Sequence, residues 1–190
     1  MNIIKIIRYT FVSLFSLACA ASLGYASENH NLMAMGWNEN GQLGDGTTTS
    51  CSIPLQVATG ISQVSAGGFH SLFIKSDGTL WAMGSNDEGQ LGDGTNTARS
   101  IPVQVATGVS QVSAGGFHSL FIKNDGTLWA MGWNSDGRLG DGTTTARSTP
   151  VQVATHVSQV AAGNWHSLFV KSDGTLWAMG YNAAGQCGTG

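Results

Sequence analysis

The chain has 190 residues, only 10% of them charged, and a net charge of −3. That length fits one domain, and the charge leaves no basic surface of the kind that grips a phosphate backbone, so no nucleic-acid partner is expected. The 42% apolar content, 27 glycines and three prolines favour a turn-rich all-β fold over disorder.

Residues 1–26 read as a secretory signal peptide. Lys5 and Arg8 form a short basic start, Tyr9 to Tyr25 is uncharged and mostly apolar or small, and Gly24-Tyr25-Ala26 gives a small-residue cleavage motif before Ser27. Export to the periplasm, the cell surface or the medium is therefore expected, with no membrane attachment after cleavage. Without Lys5 and Arg8, six basic residues face eleven acidic ones, a net charge of −5. Residues 27–31 form a short linker. Cys51 and Cys187 follow it, and their pairing as a disulfide cannot be read from sequence.

From residue 32 to 190 the chain repeats with a period of 48. AGGFHSLFIKSDGTLWAMG begins at Ala66 and returns, nearly unchanged, at Ala114 and Ala162, with His70, His118 and His166 marking the spacing. Units of about 32–63, 64–111, 112–159 and 160–190 follow from it. Within one unit, Gln63 to Ala66 predicts a first strand. Gly67-Gly68 predicts a turn or a close backbone approach. Phe69 to Lys75 and Thr79 to Gly84 predict two strands joined by the Ser76-Asp77-Gly78 hairpin. The GQLGDGT segment from Gly89 predicts a loop, and Pro102 to Val105 a fourth strand with proline at its start. Strands apolar on both faces need cover on both, which stacked sheets supply. Four short antiparallel strands per unit describe β-propeller blades, here about three to four of them.

AGGFHSLFIKSDGTLWAMGSNDEGQLGDG resembles the regulator of chromosome condensation repeat, with its Gly-His pair, apolar strand, DG turn, WxxG strand, Asn and GQLG loop in order. The resemblance implies blades of a seven-bladed propeller. Roughly three and a third units stand here, which leaves three arrangements open: a remnant of a longer propeller, a homodimer whose two copies complete a ring, or an open arc. The resemblance also implies two kinds of activity. One is guanine-nucleotide exchange on a small GTPase, although the uniform period leaves no insertion to act as a wedge. The other is protein binding, as in secreted bacterial propellers that inhibit β-lactamases.

Residues present in every copy read as scaffold. The three histidines recur once per unit and do not converge, which favours a blade-to-blade structural role. Asp45, Asp93 and Asp141 in the GDG loops read as turn-stabilising. No Walker, GxSxG or HExxH pattern appears, so neither a catalytic residue nor a metal or cofactor ligand is assigned. Variable positions point elsewhere. Trp37, Ser85, Trp133 and Tyr181 occupy one equivalent place, each before a constant Asn, and a core position would hold its size. These loops are expected to face solvent on one rim, with Trp37, Trp133, Tyr181, Glu39, Asp87, Glu88, Asp136 and Arg138 as candidate protein-binding residues. The expected function is a non-enzymatic, exported protein-binding module.

Overall fold

The computed structural model describes residues 3–6 and 30–188. The expected signal peptide, apart from residues 3–6, lies outside the described residues, as do positions 27–29 of the linker. Among the described residues every regular element is a β-strand. In chain order these are β1 (Ile3–Ile6), β2 (Asn31–Gly36), β3 (Cys51–Ala58), β4 (Ile61–Ala66), β5 (His70–Lys75), β6 (Leu80–Gly84), β7 (Arg99–Ala106), β8 (Val109–Ala114), β9 (His118–Lys123), β10 (Leu128–Gly132), β11 (Arg147–Ala154), β12 (Val157–Ala162), β13 (His166–Lys171) and β14 (Leu176–Gly180).

They form four sheets: β1-β2-β3, β4-β5-β6-β7, β8-β9-β10-β11 and β12-β13-β14, here called blades I to IV. Blades II to IV are antiparallel meanders, while β1 lies parallel to β2 in blade I. The hairpin between β5 and β6 is set by chemistry at its tip. Gly78 takes φ +78°, and the Asp77 carboxylate accepts bonds from the Thr79 amide (2.9 Å) and hydroxyl (2.6 Å). Blades III and IV repeat that turn at Asp125 and Asp173.

The fourth strand differs from expectation. It begins at Arg99, so Pro102 lies inside it and not at its start. A register irregularity between Ala82 and Gly84 places Pro102 in a bulge on an edge strand, where its missing N–H breaks no ladder bond.

Sheets stack face to face, so the two sides of one strand serve two different interfaces. Leu72, Ile74, Leu80, Ala82 and Leu91 of blade II pack on Val109, Val112, Phe121 and Met131 of blade III. Leu120, Ile122, Leu128, Ala130 and Leu139 then meet Val157 and Phe169 of blade IV. Leu32 of blade I packs with Ile61, Phe73 and Met83 of blade II. The first strands of successive blades lie side by side, tied by Ser65 Oγ to the Ala114 amide (3.0 Å) and Ser113 Oγ to the Ala162 amide (2.9 Å).

Candidate functional site

The two loop families that the variable positions belong to emerge at the same end of each blade. Strand register pairs His70 with Gly84, so the residue before β5 sits beside the residue after β6. Backbone bonds fix that adjacency: the Ser85 amide donates to the Phe69 carbonyl (2.9 Å), Trp133 to Phe117 (2.9 Å) and Tyr181 to Trp165 (3.0 Å). The hairpin turns at Asp77, Asp125 and Asp173 occupy the opposite rim.

On this rim the aromatic rings form a row that crosses all four blades. Trp37 meets Phe69 edge-on at 5.7 Å, Phe69 stacks on Phe117 at 5.1 Å, and Phe117 contacts Trp133 (5.6 Å) and Trp165 (6.5 Å). Trp133 and Trp165 meet at 5.2 Å. Trp165 and Tyr181 are each 42% exposed, while Trp37, Phe69, Phe117 and Trp133 are half-buried. Phe69, Phe117 and Trp165 were absent from the expected set. The change from Phe to Trp165 in an otherwise constant FH segment was the signal that could have found them.

Glu39, Asp87 and Asp136 are exposed and Glu88 is half-buried on the same loops. Two expectations need correction. Variable size does not mean exposure: Ser85 is buried, with Gln90 Nε2 donating to its hydroxyl at 3.1 Å in a place where blades I and III put an indole. Arg138 is not a surface contact either. Its side chain is fully buried, its guanidinium lying over Trp133 at 4.3 Å and Trp165 at 5.1 Å, paired with Asp136 and donating to the Asn164 carbonyl (3.3 Å). Burial between two indoles is tolerable for guanidinium because it is planar and weakly hydrated.

Beneath the rim the constant residues carry structure. Buried Asn86 donates to Asp93 and to the Thr95 and Thr97 carbonyls, and its own oxygen accepts the Leu91 amide (2.9 Å). Asn38 and Asn134 do the same in their loops. Asp93 also pairs with Arg99 at 2.7 Å, and Asp141 with Arg147 at 2.7 Å. Burial alone would raise the Asp93 carboxyl, but the Thr95 hydroxyl and Arg99 outweigh it and hold the group below the usual carboxylate range. Asp45 has no such arginine, because Cys51 stands at that place. Cys51 and Cys187 are both free thiols.

His70 Nε2 lies 2.8 Å from Ser119 Oγ on the next blade, and His118 Nε2 lies 2.9 Å from Ser167 Oγ. Ser119 and Ser167 already donate their hydroxyl protons to the Gln90 and Arg138 carbonyls, both at 2.7 Å. Each of these two histidines therefore donates from Nε2, its ring orientation fixed by its neighbours. Burial, with Arg138 nearby, lowers His118 to about 3. His70 and His118 are thus inter-blade bolts, strung along the stack.

A stack of mainly antiparallel sheets, four-stranded in blades II and III, with loops gathered on one rim is the β-propeller class of repeat protein. The family model described as "Regulator of chromosome condensation (RCC1) repeat" matches residues 29–74, 77–122 and 125–170, and a second model of the same description matches 61–90, 109–138 and 157–186. The chain belongs to this repeat family. Among solved structures it is similar to human WBSCR16, with 27% identity and a TM-score of 0.68 over 78% of this chain and 42% of that one. Prp20p from Saccharomyces cerevisiae, described for its binding properties to Gsp1p and histones, matches at 24% identity and TM-score 0.71 over 82% of this chain and 42% of that one. The same yeast protein bound to Kap60 matches at 21% identity and TM-score 0.73 over 93% of this chain and 50% of that one. The chain thus spans about half or less of the length of these structures. No curated protein matches it.

Proposed function

We propose that the chain is a non-enzymatic protein-binding segment of propeller type, exported, that recognises its partner through the aromatic rim. The observation that carries this reading is the row from Trp37 to Trp165, with Tyr181 bonded through its backbone to Trp165: large rings held in place by scaffold bonds, partly open, with exposed acids on the loops of blades I to III. Rigid aromatic anchors that lose little side-chain entropy are what binding hot spots are made of. The relatives support a protein partner, since Prp20p is described with Gsp1p, histones and Kap60.

Nucleotide exchange on a small GTPase is a second reading, resting on the family alone. A nucleotide-release assay separates the two: the binding reading expects no acceleration with any GTPase tested. The direct test of the rim is the set Trp37→Ala, Trp133→Ala and Tyr181→Ala, measured against a partner purified from the exported fraction. We expect affinity to fall at least about tenfold with the thermal midpoint of Tyr181→Ala unchanged, because that side chain is exposed. Unchanged affinity in all three would refute the site.

A further inference from the structure

Resting on the rim reading, we propose that the partner docks with arginine side chains, its guanidinium groups laid on the half-buried rings of blades I and II and paired with the loop acids there. The rim holds a built example of that contact. Arg138 places its guanidinium over Trp133 and Trp165 while Asp136 takes the charge. Rings and acids also share the loops of blades I and II, where among the described residues no guanidinium is stacked on the rings. The stretches 37–46, 85–94, 133–142 and 181–188 contain Glu39, Asp45, Asp87, Glu88, Asp93, Asp136 and Asp141, and Arg138 is their only Lys or Arg. Arg99 and Arg147 are committed to Asp93 and Asp141, and Arg138 to Asp136. Asp45 has no arginine opposite it, since Cys51 replaces one, and Glu39 is exposed two residues from Trp37.

Glu88 lies close enough to share the charge of Arg138, so the loop acids left without an ion pair among the described residues are Glu39 and Asp45, on the loop of Trp37, and Asp87, on the loop whose Ser85 amide bonds to Phe69. A ring face with a carboxylate next to it selects guanidinium over ammonium, because guanidinium stacks flat and loses less hydration. Charge complementarity also steers the encounter, so association is expected to weaken with salt.

The test uses hexa-arginine and hexa-lysine peptides titrated into the full chain, read by indole fluorescence and calorimetry at low and roughly half-molar salt. Hexa-arginine is expected to bind about tenfold tighter than hexa-lysine. That binding should weaken by about tenfold with Trp37→Ala and with the double change Glu39→Lys, Asp87→Lys, while Asp125→Lys on the opposite rim leaves it within about twofold. Thermal melts confirm that each variant folds. Equal affinity for the two peptides, or an equal loss from Asp125→Lys, would overturn the proposal. The purified partner separates the two levels. If its affinity falls with Trp37→Ala but ignores the acid reversals and salt, the rim stands and the arginine chemistry is wrong. If none of these matters, the rim itself is wrong.

Discussion

His118 shows how a residue that looks catalytic is held inert. Its ring is buried, its Nε2 proton is committed to Ser167, and Gly115 is glycine because a Cβ there would lie 2.6 Å from Nδ1. The folded value of about 3 lies below the ordinary 6.5. Above pH 6.5 both folded and unfolded chains are neutral at this site, and nothing is lost. As pH falls below 6.5 the unfolded chain takes up a proton that the folded chain refuses, so stability drops by up to about 1.4 kcal/mol per pH unit until about pH 3. Asp93 and Asp141, whose folded values are depressed, add their loss only below about pH 4, where the unfolded carboxylates titrate. Urea unfolding between pH 7 and 5 therefore isolates the histidine contribution. We expect a declining stability that His118→Gln, though less stable at pH 7, follows with a shallower slope. A second residue-scale expectation concerns Cys51. Cys51→Arg restores the partner that Asp93 and Asp141 have, and should stabilise the chain by about 0.5 kcal/mol in thermal melts.

At the scale of elements, the stack depends on how closely neighbouring turns approach. The Gly68 amide donates to the Gly115 carbonyl at 2.8 Å, and a Cβ on Gly68 would meet the Gly116 oxygen at 2.5 Å. That contact is backbone, so no side chain can swing aside. Gly68→Ala should cost about 2 kcal/mol or more by holding blades II and III apart, measurable in denaturant. Both roles open to Gly67-Gly68 in the sequence are realised: the pair turns the chain between β4 and β5 and lets it approach blade III closely. Much of the blade was legible: the Asp-Gly hairpin, the doubly apolar strands and the loop at GQLGDG all follow from local chemistry. The aromatic row was legible only in part. Phe69 and Ser85 are sixteen positions apart, and only the His70–Gly84 register brings them together. The burial of Arg138 was invisible for the same reason, since its indole platforms come from two blades. The bulge that shelters Pro102 is likewise a property of pairing and leaves no mark on the strand's own sequence.

For the whole molecule, each blade is stabilised by its neighbour and not by itself. Leu80 and Leu128 are fully buried under the next blade, whereas their equivalent on blade IV, Leu176, is 67% exposed and Trp177 is 48% exposed. In such a quasi-linear stack, stability is set by nearest-neighbour interfaces. Appending one further consensus unit should therefore raise the thermal midpoint, because the blade IV face becomes an interface. The proposed function divides the molecule's labour: inward residues bind blades together, and one rim is left for a partner. Hydrogen–deuterium exchange of the chain, alone and with its purified partner, tests that division most directly. The account predicts new protection at Trp37–Asn40, Gly67–Phe69, Ser85–Glu88, Gly115–Phe117 and Trp133–Asp136, and none at the hairpin turns 76–78, 124–126 and 172–174. Protection at the turns with an unaltered aromatic rim would contradict it.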